Sequence, residues 1–312
     1  MIPARGGFAP DVAAAEGRIR RNGGLSYSGS AAGLGGREGA RSSTPAGPPR
    51  HNASVCALGP DGAEAARAAG PPSELLAGLG PFFAVETHRP GEPAPAPWQP
   101  LGTLLGSASA LAARIDAVRD SLAAAAGCPA SGVERRVAAS VTQLGIAARL
   151  ISPVLGSAVL GVPLGIDAAQ ARWIPALGGP FRLSLAVPDG PAQVGGDALA
   201  EACLPVNELL AGPVRALVGL TAPMVSRRVL WGNVGSAING AAAMISTSQP
   251  RLRRRAIRVS TAALRFPELA DGYRGQPTTS FQRNSCCLIY RLAGSPPYCG
   301  DCILNGRRWR PG

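Results

Sequence analysis

The longest apolar stretch of this sequence, from Val137 to Ile166, limits what the chain can fold into. It is interrupted by Gln143, Arg149, Pro153 and Pro163. A membrane span needs about 20 predominantly apolar residues, and a charge near its centre is costly. The stretch therefore predicts a helix buried inside a soluble protein, and we expect no transmembrane segment. Pro153 is expected to kink or restart this helix, because proline removes a backbone hydrogen bond.

The residues available for a protein core are mainly aliphatic. Aromatic residues make up only 4% of the 312 residues, so Ala, Leu, Val and Ile must fill the interior. Ala and Leu are among the strongest helix formers. A chain of this length can form one large or two modest domains with a sizeable core. We therefore expect a predominantly α-helical protein.

Periodic patterns predict the individual helices. Between Thr103 and Ala126, aliphatic residues recur every three to four positions, as in an amphipathic helix. Asp197 to about Val218 is also helical in character, although Pro205 and Pro213 are expected to break it or to lie at helix starts. Two more helices are predicted, in "SRRVLWGNVGSAINGAAAMI", whose small residues permit close packing, and in the basic stretch "RLRRRAIRVSTAAL".

Short stretches have the pattern of strands. Phe181 to Val187 alternates in the period of a half-buried strand, and "WIP" upstream is its predicted hairpin partner. Phe82 to Glu86 is a second candidate strand, and Ser73 is a candidate cap for a short helix before it. The predicted fold class is α+β: a predominantly α-helical domain with a small antiparallel β element, followed by a small C-terminal cysteine-rich segment.

Composition divides the chain into three regions. Residues 1–72 are predicted to be a disordered tail, because "NGGLSYSGSAAGLGGREGARSSTPAGPPR" is rich in Gly, Ser, Pro and Arg and has no apolar periodicity. Pro267, Gly272, Gly275 and Pro277 indicate a linker before the cysteines. The boundaries are therefore residues 1–72 for the tail, 73–270 for the helical domain and 271–312 for the C-terminal segment.

The charge of the chain does not indicate a nucleic-acid partner. The net charge is +12, and all 31 basic residues are Arg. These arginines are scattered, and no stripe of aromatic and basic residues suitable for stacking bases occurs. The exclusive use of Arg, together with the high content of Ala, Gly and Pro, is typical of a protein encoded by a GC-rich genome. The N-terminus has no charged start followed by an apolar run, so we predict a cytoplasmic location.

Four of the seven cysteines fall in the C-terminal stretch "SCCLIYRLAGSPPYCGDC". Cys286 and Cys287 are adjacent, and Cys299 and Cys302 follow after eleven residues as a Cys-x-x-Cys. Thiolates suit zinc or an iron–sulfur cluster. Adjacent cysteines are difficult to fit around one tetrahedral zinc ion, whereas the ligands of a [2Fe–2S] cluster attach to two irons. The spacing favours [2Fe–2S] over zinc, and a metal-free redox Cys-x-x-Cys or a structural disulfide stays open.

The stretch "RNSCCLIYRLAGSPPYCGDC" resembles the C-terminal domain of the FhuF-like ferric iron reductase family. "GPFFAVETH", "WQPLGTLL", "RVAASVTQLGIAARLISPVLGSAVL" and "VLWGNVGSAINGAA" are similar to the helical domain of such proteins, so the resemblance covers roughly residues 73–304. It implies that Cys286, Cys287, Cys299 and Cys302 bind the irons of a [2Fe–2S] cluster. The spacer is one residue longer than in the family, and we expect the turn at 294–297 to absorb it.

The resemblance implies a cytoplasmic ferric-siderophore reductase. Such an enzyme reduces Fe(III) in a ferric siderophore to Fe(II), which siderophores bind far less tightly. The chain has no Gly-x-Gly-x-x-Gly fingerprint, so we expect an external electron donor, and transient contact with an inner-membrane siderophore importer is a further expectation. Two other interpretations stay open: a zinc-stapled siderophore-binding or siderophore-assembly protein, and a [2Fe–2S] electron carrier without its own substrate.

Four residues outside the ligand set are candidates for substrate binding or cluster tuning. Arg283 and Arg291 flank the first two cysteines, where their charge would offset the cluster or attract an anionic ferric complex, unless they belong to a solvated tail. Trp231 and Asn233, in "LWGN", are candidates for a pocket facing the cluster or for helix packing. No catalytic residue beyond the cluster is predicted, because one-electron transfer requires no proton-transfer group.

Overall fold

The computed structural model describes residues 71–162, 164–187, 199–292, 294 and 298–305. The predicted disordered tail therefore lies outside the described residues, except for positions 71 and 72. Within the described part, helices predominate and the sheets are small, which confirms the coarse fold class. The helices are α1 (Pro72–Ala77), α2 (Leu101–Gly106), α3 (Ala108–Ala125), α4 (Arg135–Leu160), α5 (Leu199–Leu209), α6 (Arg215–Thr221), α7 (Arg227–Ser248) and α8 (Arg253–Ala263).

Helix α4 is the centre of the fold, and it packs most extensively against α7. It is one 26-residue helix with Pro153 inside it, so the expected restart at this proline is wrong. Both α4 and the stretch Leu199–Thr221 are long and apolar enough to cross a membrane. In α4, however, 78% of the apolar window is buried inside the protein, as expected for a core helix.

Two other predicted helices differ from the structure in where they are interrupted. The helix predicted from Thr103 to Ala126 is divided at Ser107, whose Oγ accepts a hydrogen bond from the N–H of Ala110 at 3.2 Å and so caps α3. Pro205 lies inside α5, and Pro213 lies in a π-helical turn that joins α5 to α6. Neither proline breaks the helical path: α5 continues through Pro205, and the π-helical turn at Leu210–Val214 continues it through Pro213.

The strands of the main sheet are β1 (Glu86–His88), β2 (Gln99–Pro100), β3 (Arg172–Ile174) and β4 (Arg182–Ala186). Their order in the sheet is β1-β4-β3-β2. As predicted, the "WIP" stretch pairs with the later strand in an antiparallel manner, but β1 pairs with β4 in parallel, so the sheet is mixed. The candidate strand at 82–86 overlaps β1 only at Glu86, and Ser73 lies inside α1 and does not cap it.

A buried arginine attaches this sheet region to α4. The side chain of Arg149 is 2% exposed, and it donates hydrogen bonds to the carbonyl oxygens of Phe181 (2.7 Å), Phe82 (2.9 Å) and Ala84 (2.6 Å). Burial lowers the pKa of Arg149 to about 10. The charge that interrupts the longest apolar stretch is thus a structural connection from the core helix to two loops.

The C-terminal segment packs on the helical domain through a small hairpin. Strands β5 (Tyr273–Arg274) and β6 (Gln282–Arg283) pair in an antiparallel manner. Leu269, in the preceding 3₁₀ turn, is fully buried, and Phe281 joins it in the same core as α7. The cysteines that follow β6 are therefore connected to the rigid part of the fold.

Candidate metal centre

The cysteine segment folds back so that its two ends meet. The N–H of Arg283 donates to the carbonyl of Asp301 at 2.8 Å, and Nε2 of Gln282 donates to the carbonyl of Cys302 at 2.8 Å. Within the Cys-x-x-Cys turn, the N–H of Cys302 donates to the carbonyl of Cys299 at 3.1 Å. These bonds hold the chain before the adjacent cysteines against the second half of the segment.

The four sulfurs lie together, and each cysteine of the adjacent dipeptide contacts a different sulfur of the Cys-x-x-Cys. The Sγ atoms of Cys287 and Cys299 are 3.6 Å apart, and those of Cys286 and Cys302 are also 3.6 Å apart. After the dipeptide the chain turns through Leu288, which has φ 71° and whose N–H donates to Sγ of Cys286 at 3.4 Å. Each pair combines one buried and one half-buried cysteine.

This arrangement has the sulfur spacing of a thiolate metal site. Two sulfurs bound to one tetrahedral metal at about 2.3 Å lie about 3.8 Å apart, close to the 3.6 Å within each pair. Among the described residues, no group of three or more His, Cys, Asp or Glu side chains converges as a site for one metal ion. Each 3.6 Å contact therefore fits two thiolates bound to one metal, whether zinc or iron.

Cys287 is the sulfur that its neighbours stabilise as a thiolate. Hydrogen bonds from the thiols of Cys286 and Cys299 lower the pKa of Cys287, and the charge of Arg283 lowers it further. The same bonds, together with burial, raise the pKa of Cys286 and of Cys299. Thiolates are the metal-binding form of cysteine, so the first negative charge in the site is expected at Cys287.

A fully buried cation lies beside one of the two sulfur pairs. Arg283 is 1% exposed, and its Nη2 donates to Sγ of Cys299 at 2.6 Å and pairs with Oδ1 of Asp301 at 3.1 Å. Burial alone would lower the pKa of Arg283, but the charges of Asp301 and of the Cys299 and Cys287 sulfurs outweigh burial and raise it. The site thus keeps a permanent positive charge against sulfur in a region with little water.

Helices α4 and α7 hold this arginine through a buried polar network. Oδ1 of Asn233 accepts from Nη1 of Arg283 at 2.9 Å, and Nδ2 of Asn233 donates to Oγ of Ser140 at 3.1 Å and to Oε1 of Gln143 at 3.0 Å. Ser140 in turn donates its Oγ hydrogen to the carbonyl of Cys287 at 2.8 Å. The two core helices therefore fix both the arginine and the backbone of Cys287.

The acidic partner of the arginine is also fixed by α7. Oγ of Ser236 donates to Oδ2 of Asp301 at 2.5 Å, while Oδ1 of Asp301 pairs with Arg283. Asp301 lies inside the Cys-x-x-Cys turn. Both carboxylate oxygens are thus engaged, and the turn is attached to the same helix face as Asn233.

Glycine at position 232 allows α7 to approach the cysteine segment. A Cβ added there would overlap Oγ of Ser285 and lie 3.4 Å from its Cβ. That Oγ is buried and has no hydrogen-bond partner among the described residues. The close approach therefore places the residue before Cys286 directly against the helix.

The structure separates the four candidates outside the ligand set. Arg283 contacts Sγ of Cys299, and Asn233 accepts a hydrogen bond from Arg283. Trp231 lies in the same turn of α7 but packs against Phe266, with ring centroids 5.9 Å apart. Arg291 is at the surface, where it forms a 2.5 Å ion pair with Glu134 at the start of α4.

No sequence pattern predicts four contributors to this polar network: Ser140, Gln143, Ser236 and Asp301. The first two are polar interruptions of the apolar helix α4, where Gln143 argues only against a membrane span. Both are 0% exposed, and their hydrogen bonds to Asn233 connect α4 to the network. The turn at 294–297, which is expected to absorb the longer spacer, is described only at its first residue. Gly294 has φ 74°, and 295–297 lie outside the described residues.

No protein-family model matches this chain, and no curated protein is significantly similar to it. The interpretation of the centre therefore rests on its own geometry and on the sequence resemblance described above.

Proposed function

We propose that this protein binds a [2Fe–2S] cluster through Cys286, Cys287, Cys299 and Cys302 and reduces Fe(III) in ferric siderophores to Fe(II) in the cytoplasm. The observation that carries the proposal is that each of the two adjacent cysteines contacts a different sulfur of the Cys-x-x-Cys, at 3.6 Å in both cases. A two-iron cluster requires two thiolates on each iron, whereas a structural zinc ion requires four on one ion.

The chain would hold each iron with one cysteine from each half of the segment. Cys287 and Cys299 form one pair of ligands, and Cys286 and Cys302 form the other. When bound, the cluster supplies a single electron per cycle, which converts the Fe(III) of the chelate to Fe(II), and an external donor replaces that electron. The chain's own tasks are to hold the sulfurs, to set the potential of the centre and to bind the chelate.

Arg283 is suited to setting that potential. Four thiolates on two irons leave the centre anionic, and reduction adds a further negative charge. A buried cation that donates to Sγ of Cys299 stabilises the reduced form more than the oxidised form, since charge-assisted hydrogen bonds strengthen as the acceptor becomes more negative. Asn233 and Asp301 hold the guanidinium in place, so they act on the potential through Arg283.

Cofactor content is the first test of the proposal. Anaerobically purified protein should contain about two irons and two sulfides per chain, absorb in the visible region and give a paramagnetic resonance signal after reduction. Cys286→Ser should lose iron and colour, whereas Cys128→Ser, a half-buried cysteine outside the segment, should keep both. Colourless wild-type protein with stoichiometric zinc would support the zinc-stapled alternative and contradict the proposal.

Substrate reduction is the second test. Reduced protein is mixed with a ferric siderophore in the presence of a ferrous-iron trap, and trapped Fe(II) is measured against protein that lacks the cluster. We expect Fe(II) to form only with the loaded protein. A loaded protein that is oxidised by no ferric siderophore and yields no trapped iron would be an electron carrier and not a reductase.

A further inference from the structure

A cavity of about 660 Å³ lies between the first turns of α7 and the 3₁₀ turn at Pro267–Leu269. Trp231 and Gly272 are among its lining residues. Cavities for small-molecule ligands have volumes of about 300–1,000 Å³ and combine apolar walls with a few polar groups. The size of this cavity is therefore that of a small-molecule site.

The walls of this cavity are bonded directly to the residues before the cysteines. The N–H of Asn284 donates to the carbonyl of Gly272 at 2.8 Å, and its Nδ2 donates to the carbonyl of Asp271 at 3.0 Å. On the other wall, Trp231 precedes Gly232, which packs against Ser285. Asn284 and Ser285 are the two residues before Cys286, so both walls of the cavity connect to the chain that leads into the cysteine segment.

Two arginines give the cavity an excess of positive charge. Arg227 and Arg228 are exposed, and neither forms a hydrogen bond or ion pair with any residue in the described part of the chain. Of the acidic lining residues, Glu268 is paired with Arg215 at 2.6 Å, so only the charge of Asp271 offsets the two arginines.

The position of these arginines argues against a role in helix stability. They are the first two residues of α7, where the helix dipole is positive and a basic side chain is unfavourable. Unpaired cations at this end add to the positive potential of the free N–H groups. An anion in the cavity would be attracted by the two arginines and by these N–H groups.

We propose that this cavity binds the ferric chelate and that it selects anionic chelates that carry carboxylate groups. The carboxylates lie against Arg227 and Arg228, because guanidinium groups bind carboxylates through two parallel hydrogen bonds. The apolar part of the chelate packs against Trp231. This inference rests on the proposed function and specifies its substrate class and binding site.

The test uses redox-inert gallium(III) complexes, so that binding is measured without electron transfer. One probe is the anionic complex of a dihydroxamate–citrate chelator, and the other is an uncharged gallium(III) trihydroxamate. Calorimetry with the full chain should show tighter binding of the anionic probe. Arg227→Gln combined with Arg228→Gln should weaken that binding roughly tenfold and reduce its salt dependence. Arg254→Gln, an exposed arginine of α8, is the matched control and should change neither.

The outcomes separate this inference from the proposed function. If the double variant binds the anionic probe as tightly as wild type, or if the uncharged probe binds equally well, the cavity is not the site. If the loaded protein nevertheless releases Fe(II) with an unchanged KM in the double variant, the reductase stands and the cavity assignment falls. If the arginines control probe binding but no Fe(II) is released from the matching ferric complex, the site stands and the reductase falls.

Discussion

The guanidinium group of Arg283 donates to Sγ of Cys299 at 2.6 Å, inside a protein core that leaves the arginine 1% exposed. If Cys299 binds a cluster as proposed, this buried cation affects the centre mainly through its charge. We therefore expect Arg283→Gln to lower the reduction potential of the centre by on the order of 50 mV, because the variant loses a charge-assisted hydrogen bond to the reduced form. Spectroelectrochemical titration measures the shift.

Arg291→Gln is the matched comparison for this prediction. Arg291 is half-exposed and already paired with Glu134, so solvent screens its charge, and its removal should shift the potential several times less. Arg283→Lys keeps the charge but loses the planar fork of the guanidinium, so it should give a potential between those of wild type and Arg283→Gln. It also allows the test to be made if Arg283→Gln does not retain iron. If wild type, Arg283→Lys and Arg283→Gln all have the same reduction potential, Arg283 does not set the potential of the centre.

The sulfur pairing can be tested without any metal. Mild oxidation of the apo protein with diamide should form disulfides between Cys287 and Cys299 and between Cys286 and Cys302, because these thiols are 3.6 Å apart. Tandem mass spectrometry of the digested protein identifies the bonds. A predominant disulfide within the Cys-x-x-Cys or within the adjacent dipeptide would contradict the pairing and the assignment of ligands to the two irons.

The contacts between particular sulfurs could not be predicted from the sequence. The spacing predicts that four sulfurs share a site, but it does not say which of them are in contact. That depends on the turn at Leu288 and on the bond from the N–H of Arg283 to the carbonyl of Asp301, both of which depend on how the segment folds back on itself. The prediction that Arg283 lies near the site follows from its distance of only three positions from Cys286.

Other features were predictable in part, for identifiable reasons. The helices follow from aliphatic periodicity, which is local, and the structure confirms them at α3, α4 and α7. The parallel pairing of β1 with β4 is non-local and joins Glu86 to Ser184, so no local pattern predicts it. The role of Ser140 likewise appears only when α4 packs against the cysteine segment, because a serine in an apolar helix carries no local signal of its partner.

Arg149 is expected to contribute strongly to stability and not to the redox centre. It donates to three carbonyl oxygens from a position that is 2% exposed. Arg149→Met should lower the free energy of unfolding by about 3 kcal/mol, since buried carbonyls lose their partners. Urea denaturation measures this change. Arg135→Met, on the exposed end of the same helix, should change it by less than about 1 kcal/mol. Equal effects of the two variants would contradict the structural role of Arg149.

The contact between Gly232 and Ser285 allows a test by rescue. Gly232→Ala places a methyl group against Oγ of Ser285, so we expect a loss of about 1–3 kcal/mol in the free energy of unfolding and a lower iron content. Ser285→Ala removes an Oγ that is buried without a partner, so alone it should be nearly neutral. In the double variant the new methyl group meets the Cβ at position 285 at 3.4 Å and Cδ of Arg283 at 3.9 Å, so both stability and iron content should recover.

Gly240→Ala is the control for this rescue, because a Cβ at position 240 of the same helix meets nothing within 4 Å. It should raise stability by up to about 1 kcal/mol, the difference in helix propensity between Gly and Ala. Thermal or urea unfolding and iron analysis of all four variants complete the comparison. If Gly232→Ala behaves like Gly240→Ala, or if Ser285→Ala does not restore the double variant, the close approach of α7 does not hold the cysteine segment in place.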